Sequence, residues 1–158
     1  MSDEPLETYS ITQAFSSHLE LATGLFDQYR MFYGQSSDMS LARDFLRARI
    51  QHQDAFIFLA IEEDRPPSGP LGFVLLYPSY DSVAAAPIWI LNDIFVANEA
   101  RRRRVGDALM KRAEELARET GAKRLLLTTA VDNVVSHRFY EALGYKRDAA
   151  NCRYILDL

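Results

Sequence analysis

Leu91-Asn92-Asp93-Ile94-Phe95-Val96, followed shortly by Arg101-Arg102-Arg103-Arg104-Val105-Gly106-Asp107-Ala108-Leu109, is the stretch on which the fold turns. The apolar alternation from Leu91 to Val96 is that of a strand. Val105, Ala108, Leu109, Ala113, Leu116 and Ala117 instead recur at three- and four-residue intervals, the spacing of a helix. The arginines and Gly106 therefore stand where a strand passes into a helix. The first amides of a helix have no acceptor within it, and the helix dipole favours an anion there. Such a turn is a cradle for a diphosphate, held largely by backbone, with charge-assisted contacts available from arginine.

The whole chain sets bounds on what this cradle serves. At 158 residues it fits one domain, 1–158, with an apolar fraction ordinary for a globular core. No apolar run approaches the ~20 residues needed to span a bilayer. The start, Met1-Ser2-Asp3-Glu4-Pro5, lacks the basic opening and apolar core of a signal peptide, so a cytoplasmic protein without membrane attachment is expected. The single cysteine, Cys152, cannot close an internal disulfide, in keeping with a reducing compartment. With 18 basic and 22 acidic residues the net charge is -4, opposite in sign to the footprint of a dedicated nucleic-acid binder. The arginine cluster is local, and no nucleic-acid partner is expected. The Gly-x-x-x-x-Gly-Lys-Ser/Thr pattern of a nucleotide triphosphatase is absent.

Around the opening stretch the chain alternates elements. Tyr9-Ser10-Ile11 reads as a short strand, and Ala14 to Tyr33 as a helix bent or weakened at Gly24. Asp38 or Ser40 caps a second helix through Leu41, Phe45, Leu46 and Ile50. Ala55 to Ile61 and Leu71 to Tyr77 form an antiparallel pair about a turn at Arg65 to Pro70. A loop from Pro78 to Pro87 leads to the strand Ile88 to Val96. The long helix stops near Thr120-Gly121. After it come a strand from Lys123 to Thr129, a helix from Asn133 to Leu143 stopped by Gly144, and two last strands, Tyr145 to Asp148 and Asn151 to Asp157. The class is mixed α/β.

Two segments carry a family resemblance. Arg101 to Gly106 resembles the acyl-CoA-binding signature Arg/Gln-x-x-Gly-x-Gly/Ala of the GNAT (GCN5-related) N-acetyltransferases. In one register Arg101 and Gly106 take the first and last places and Arg104 stands at the first glycine. In another, Arg103, Gly106 and Ala108 match but leave a longer turn. Asn133-Val-Val-Ser-His-Arg-Phe-Tyr-Glu-Ala-Leu-Gly-Tyr145 is similar to the family's Asn-x-x-(Ala/Ser)-x-x-(Phe/Leu)-Tyr-x-x-x-Gly-(Phe/Tyr) segment. The resemblance implies a central mixed sheet of six to seven strands flanked by four helices. It also implies acetyl-CoA as cosubstrate, no metal, a homodimer, and acetyl transfer to a primary amine of a small molecule. A pantetheine arm would lie along Ile94, Phe95 and Val96, with backbone from Arg101, Arg102, Arg103, Arg104, Val105, Gly106 and Asp107 around the diphosphate. Each arginine side chain either joins these contacts or is simply solvated. Near Phe95 or Val96 a strand amide would serve the oxyanion.

Acetyl transfer to an amine also needs a proton removed from the nucleophile and one given to the leaving thiolate. On a helix starting at Asn133, residues three, four and seven apart share a face, so Asn133, Ser136, His137 and Tyr140 line one side. By resemblance Tyr140 is the general acid, and Asn133, with Ser136 beside it, meets the pantetheine arm. A phenol near pKa 10 facing a thiol near 8.5 makes full transfer in water uphill by roughly 2 kcal/mol, so a hydrogen bond to the developing thiolate already helps expulsion. His137 is titratable, with a surface or capping role as the alternative; His18 and His52 have no motif around them. In diamine acetyltransferases, which the Leu91-Asn92-Asp93 strand resembles, glutamate-aspartate stands where Asn92-Asp93 stand here. Asn92 cannot be a base. Asp93 binds a cationic substrate or relays a proton, or else caps a loop or pairs with an arginine. Tyr29, Arg30, Phe32 and Tyr33 resemble a branch of the family acting on histones, polyamines or D-amino acids, so Asn92, Tyr29 and Tyr33 are candidate acceptor contacts. An acyl-CoA sensor without turnover and a protein or peptide acceptor are the alternatives.

Overall fold

The computed structural model describes residues 9–62 and 69–158. The N-terminal reading at Met1 to Pro5 and most of the hairpin turn expected at Arg65 to Pro70 lie outside the described residues. The chain divides into two compact units, Met1–Leu127 and Thr128–Leu158.

The first unit is built on a five-stranded sheet in the order β1-β2-β3-β4-β5: β1 (Tyr9–Gln13), β2 (Phe56–Glu62), β3 (Gly72–Asp81), β4 (Ala86–Val96) and β5 (Leu125–Leu127). The first four are antiparallel neighbours, and β5 runs parallel to β4. Ile57, Phe58, Leu59 and Ala60 of β2 are all buried, a continuous run that marks a strand covered on both faces. Adjacent residues of β3 explain the cover. Phe73 meets the rings of Phe26 and Tyr29 on α1 (Leu19–Phe32), whereas Gly72 lies against Val105 and Leu109 of α3 (Val105–Glu119). Since neighbouring strand positions face opposite ways, α1 and α3 pack on opposite faces.

The helices form for legible reasons. In α3, Val105, Leu109, Met110, Ala113, Leu116 and Ala117 are buried, one apolar stripe on the sheet. At α2 (Met39–His52), Asp38 is the N-cap and its carboxylate accepts the Leu41 amide at 2.9 Å, a bond worth about 1 kcal/mol. Helix α1 continues through Gly24, the residue at which a bend or weakening was expected, for 14 residues without a break. Its apolar face, Ala22, Leu25 and Phe26, carries it through a residue whose cost is only about 1 kcal/mol.

The expected loop from Pro78 to Pro87 is mostly strand. Only residues 82–85 form the turn, because β3 continues to Asp81 and pairs with β4 from Ala86. Proline is tolerated there since β2 ends at Phe56, opposite Leu76, leaving Pro78 on a free edge where no ladder bond is lost.

The second unit holds α4 (Val134–Ala142), capped by Asn133, whose side chain accepts the Ser136 amide at 3.1 Å. The expected strands at Tyr145 to Asp148 and Asn151 to Asp157 do not form, so the sheet has five strands among the described residues where six to seven were expected. Asp148 instead closes a local turn, accepting the Ala150 amide at 2.9 Å and the Asn151 side chain at 2.7 Å. Such side-chain bonds compete with ladder formation.

Candidate active site

The sheet opens in the middle of β4. Trp89, Ile90 and Leu91 pair with Leu125, Leu126 and Leu127, but β4 continues to Val96 with β5 already ended. On its other side it stays paired with β3, up to Gly72 opposite Val96. Between these stretches the register slips: Leu76 faces Leu91 while Leu75 faces Asp93, so Asn92 is an extra residue, a β-bulge. A bulge bends its strand and re-aims side chains. From Asn92 to Val96 one edge of the strand therefore has no strand partner among the described residues. An exposed edge of this sort presents peptide donors and acceptors to any extended chain laid beside it.

That edge leads straight to the turn. After Val96 the Ala97 amide bonds the Leu71 carbonyl at 2.8 Å, one 3-10 turn follows at Asn98–Ala100, and α3 starts behind Arg104. Arg102 and Arg104 both have positive φ, 68° and 56°, the left-handed region that glycine enters freely. Arg104 thus holds the backbone conformation a glycine would supply at the first glycine place of the signature. Gly106 is the second residue of α3. The first bond of the helix runs from the Ala108 amide to the Arg104 carbonyl at 3.1 Å, so the amides of Val105, Gly106 and Asp107 precede the intrahelical ladder.

The four arginines are not equivalent. Arg103 ion-pairs with Glu62 at 2.6 Å and lies over the Tyr9 ring, whose hydroxyl donates to the Arg103 carbonyl at 3.2 Å. Its guanidinium fastens the turn to β1 and β2. Arg101, Arg102 and Arg104 are exposed, Arg104 within 4.0 Å of Asp107. Sequence reasoning passed over Gly72. A Cβ there would stand 2.8 Å from the Phe95 carbonyl oxygen and 3.1 Å from both Val105 and Leu109, so its lack of a side chain lets β4 and α3 close together. An isolated glycine inside a strand pattern was the available signal.

Beside the bulge lies the most unusual polar group of the unit. Asp93 is buried, 9% exposed, with Tyr29 donating its hydroxyl to Oδ1 and the Asn92 side-chain amide donating to both oxygens at 3.1 Å. The ring of Tyr29 is packed by Tyr33 at 5.0 Å, Phe73 at 5.4 Å, and Phe26 and Phe95 at 5.9 Å. Phe32 and Tyr33 are largely exposed at the end of α1, with Phe32 against Phe95. Burial, and then the bond to Asp93, push the Tyr29 phenol well above the usual tyrosine range; burial and the Asp93 charge also raise Tyr77 of β3. Two of the expected acceptor contacts, Tyr29 and Asn92, thus bond the catalytic candidate Asp93 directly, and the third, Tyr33, joins through Tyr29. Behind them Asp27 is buried and accepts the Ser37 hydroxyl at 2.6 Å and the Asp38 amide at 2.8 Å, clamping the segment between α1 and α2.

In the second unit, Asn133 is spent partly as a cap. His137 Nε2 meets the Ala130 and Val131 carbonyls at 3.0 and 3.2 Å, which is the capping alternative for that histidine. Tyr140 is half-buried on α4, its ring 5.4 Å from Phe139 and 6.1 Å from Tyr145.

Comparison with known proteins agrees with this architecture. The family model described as acetyltransferase (GNAT) family matches residues 21–145, reaching into both units. An N-acetyltransferase of Bacillus subtilis strain 168, YhfO, described as uncharacterized, is 38% identical over 149 residues, covering 94% of this chain and 97% of the relative. The crystal structure of a probable acetyltransferase is 42% identical, covers 94% of this chain and 97% of its own, and superposes with a TM-score of 0.87. An aminoglycoside N-acetyltransferase, AAC(6')-Iy, solved in complex with CoA, shares the fold at 22% identity and a TM-score of 0.76, covering 95% of each chain. The chain belongs to the GNAT family of acetyltransferases, and it is an enzyme of the N-acetyltransferase class.

Proposed function

We propose that this enzyme moves the acetyl group of acetyl-CoA to a primary amine of a small, cationic molecule by direct attack on the thioester, within one domain spanning 1–158. The observation that carries the reading is the half-open strand β4. Its edge, without a strand partner among the described residues, begins at the bulge beside Asp93 and leads toward the amides of Val105, Gly106 and Asp107, which precede the first bond of α3. The donor end suits a CoA: Ile94, Phe95 and Val96 offer a strand edge to the amide-bearing pantetheine arm. The amides of Val105, Gly106 and Asp107 and the exposed side chains of Arg101, Arg102 and Arg104 suit a diphosphate, whereas the Arg101 and Arg103 amides already donate to the Asn98 and Ala100 carbonyls at 3.3 and 3.4 Å. Acetyl-CoA supplies the activated thioester.

The chain's own residues do the rest. Asp93 draws in the ammonium and accepts its proton directly or through water, with Asn92, Tyr29 and Tyr33 shaping the acceptor end. An amide near Phe95 or Val96 stabilises the developing oxyanion. Tyr140 hydrogen-bonds the leaving thiolate, and Asn133 and Ser136 steady the pantetheine arm. That an aminoglycoside acetyltransferase with CoA shares the fold is compatible with a polycationic small-molecule acceptor. The test is thiol release from acetyl-CoA over a panel of diamines, aminoglycosides, amino acids and peptides, beside calorimetry with acetyl-CoA alone. Turnover restricted to peptides would replace the acceptor class, and tight binding without turnover on any amine would leave a sensor.

A further inference from the structure

We infer that Tyr29 is a positioning residue for acetyl transfer, acting through Asp93: its phenol hydrogen-bonds the buried carboxylate and fixes it in place for the incoming ammonium. The inference rests on the reading of Asp93 as the acceptor-facing group.

The geometry sets Tyr29 apart from ordinary aromatic packing. Tyr29 and Asp93 are 64 positions apart, joined only because α1 crosses the sheet face at Phe73 and Phe95. Among the described residues no lysine, arginine or histidine is ion-paired with Asp93. Its charge is balanced by neutral donors, Tyr29 and Asn92. A cationic partner would cancel the field an ammonium must feel, whereas a phenol and an amide stabilise the carboxylate and leave its charge unspent. Between the two donors, Asn92 is exposed on the bulge, while Tyr29 is held by four rings.

The titratable surroundings are few. Tyr29 meets Asp93 from α1 and Tyr77 acts on it from β3, while Tyr33 acts on Tyr29; Arg49 and Asp54 act on Tyr77 from α2 and the segment behind it. Burial keeps the Tyr29 phenol protonated, and so a donor, across neutral and acid pH.

The experiment is carboxyl-carbon NMR titration of the intact chain labelled at aspartate, with Asp93 identified by its loss in Asp93→Asn. Tyr29→Phe keeps the ring packing and removes the donor. Its Asp93 midpoint should rise, because the hydrogen bond it loses favours the charged carboxylate. Tyr77→Phe, which lacks a hydrogen bond to Asp93, should leave it in place. The acid limb of kcat/KM, measured with whichever amine the panel identifies, should move with the midpoint in Tyr29→Phe. An unmoved midpoint overturns the inference even if activity falls. If the midpoint moves but Asp93→Asn retains full turnover on cationic acceptors, the acceptor reading of Asp93 is overturned, and Tyr29's part in the reaction with it. In the unmutated protein, a downfield phenolic proton of Tyr29 should vanish as Asp93 protonates. Its absence overturns the inference without reliance on any variant.

Discussion

Gly72→Ala tests the link between packing and the cradle most directly. The added methyl would sit 2.8 Å from the Phe95 carbonyl oxygen and 3.1 Å from Val105 Cγ1 and Leu109 Cδ1. Two of these neighbours are side chains that can shift by a few tenths of an ångström; the carbonyl belongs to the backbone of β4 and yields only if the strand moves. Overpacking of this kind costs about 1–3 kcal/mol. At about 2–4 °C per kcal/mol for a chain of this size, Tm falls by roughly 5 °C for a 2 kcal/mol loss. The displacement falls between the strand edge at Phe95 and the first residue of α3, so both proposed donor contacts move apart. If about 1.4 kcal/mol of the loss is expressed there, Kd for acetyl-CoA rises about tenfold. Leu46→Ala on α2 is the comparison. It removes a buried side chain at a cost of about 2–5 kcal/mol, remote from the turn, and should leave Kd unchanged. Differential scanning fluorimetry and calorimetry give both quantities. Equal effects of the two variants on Kd, or an unchanged Kd in Gly72→Ala despite the lower Tm, would refute the reasoning.

Arg104→Gly should be tolerated within about 1 kcal/mol, since relief of left-handed strain offsets the greater freedom of the unfolded chain; Arg104→Val should cost about 1–2 kcal/mol by denaturant unfolding. Tyr140→Phe should lower kcat about 10- to 100-fold with acetyl-CoA affinity retained in calorimetry; unchanged turnover removes Tyr140 from the mechanism. The Ser37 hydroxyl, then the Asp38 amide and Arg30, hold the Asp27 carboxyl below the usual range. A depressed folded value means that its stabilisation is complete above the unfolded pKa near 4 and is lost as pH falls through the lower folded value. Asp27→Asn should accordingly lower stability at neutral pH and flatten the acid limb of Tm against pH.

Much of the proposed donor end is written locally. The six apolar positions expected from Val105 to Ala117 reappear as the sheet-facing stripe of α3, except that Ala108 is only half-buried and Met110 joins it. Periodicity needs no knowledge of neighbours, which is why it served there. Pro78 misled because a proline signals a break unless the strand lies on a free edge, and the edge exists only once β2 is seen to stop at Phe56. The two C-terminal segments had strand-like composition, but a ladder needs a partner, and Asp148 offers its neighbours a local alternative. The proposed acceptor end is half legible. Tyr29 and Asp93 were singled out separately, yet nothing along the chain says that they touch. The bulge at Asn92 and the closeness at Gly72 likewise belong to the register between strands, which composition does not carry.

Asp27 reaches the segment between the first two helices through one hydroxyl and one peptide N–H, at Ser37 and Asp38. Such a tether fixes where the segment ends while leaving the identity of residues 34–36 unread. On the proposed reading, what frames the acceptor is thereby kept apart from the sheet that would grip the donor. Exchanges at 34–36 would then leave the donor strand untouched, whereas a change of donor would involve β4 and α3 together.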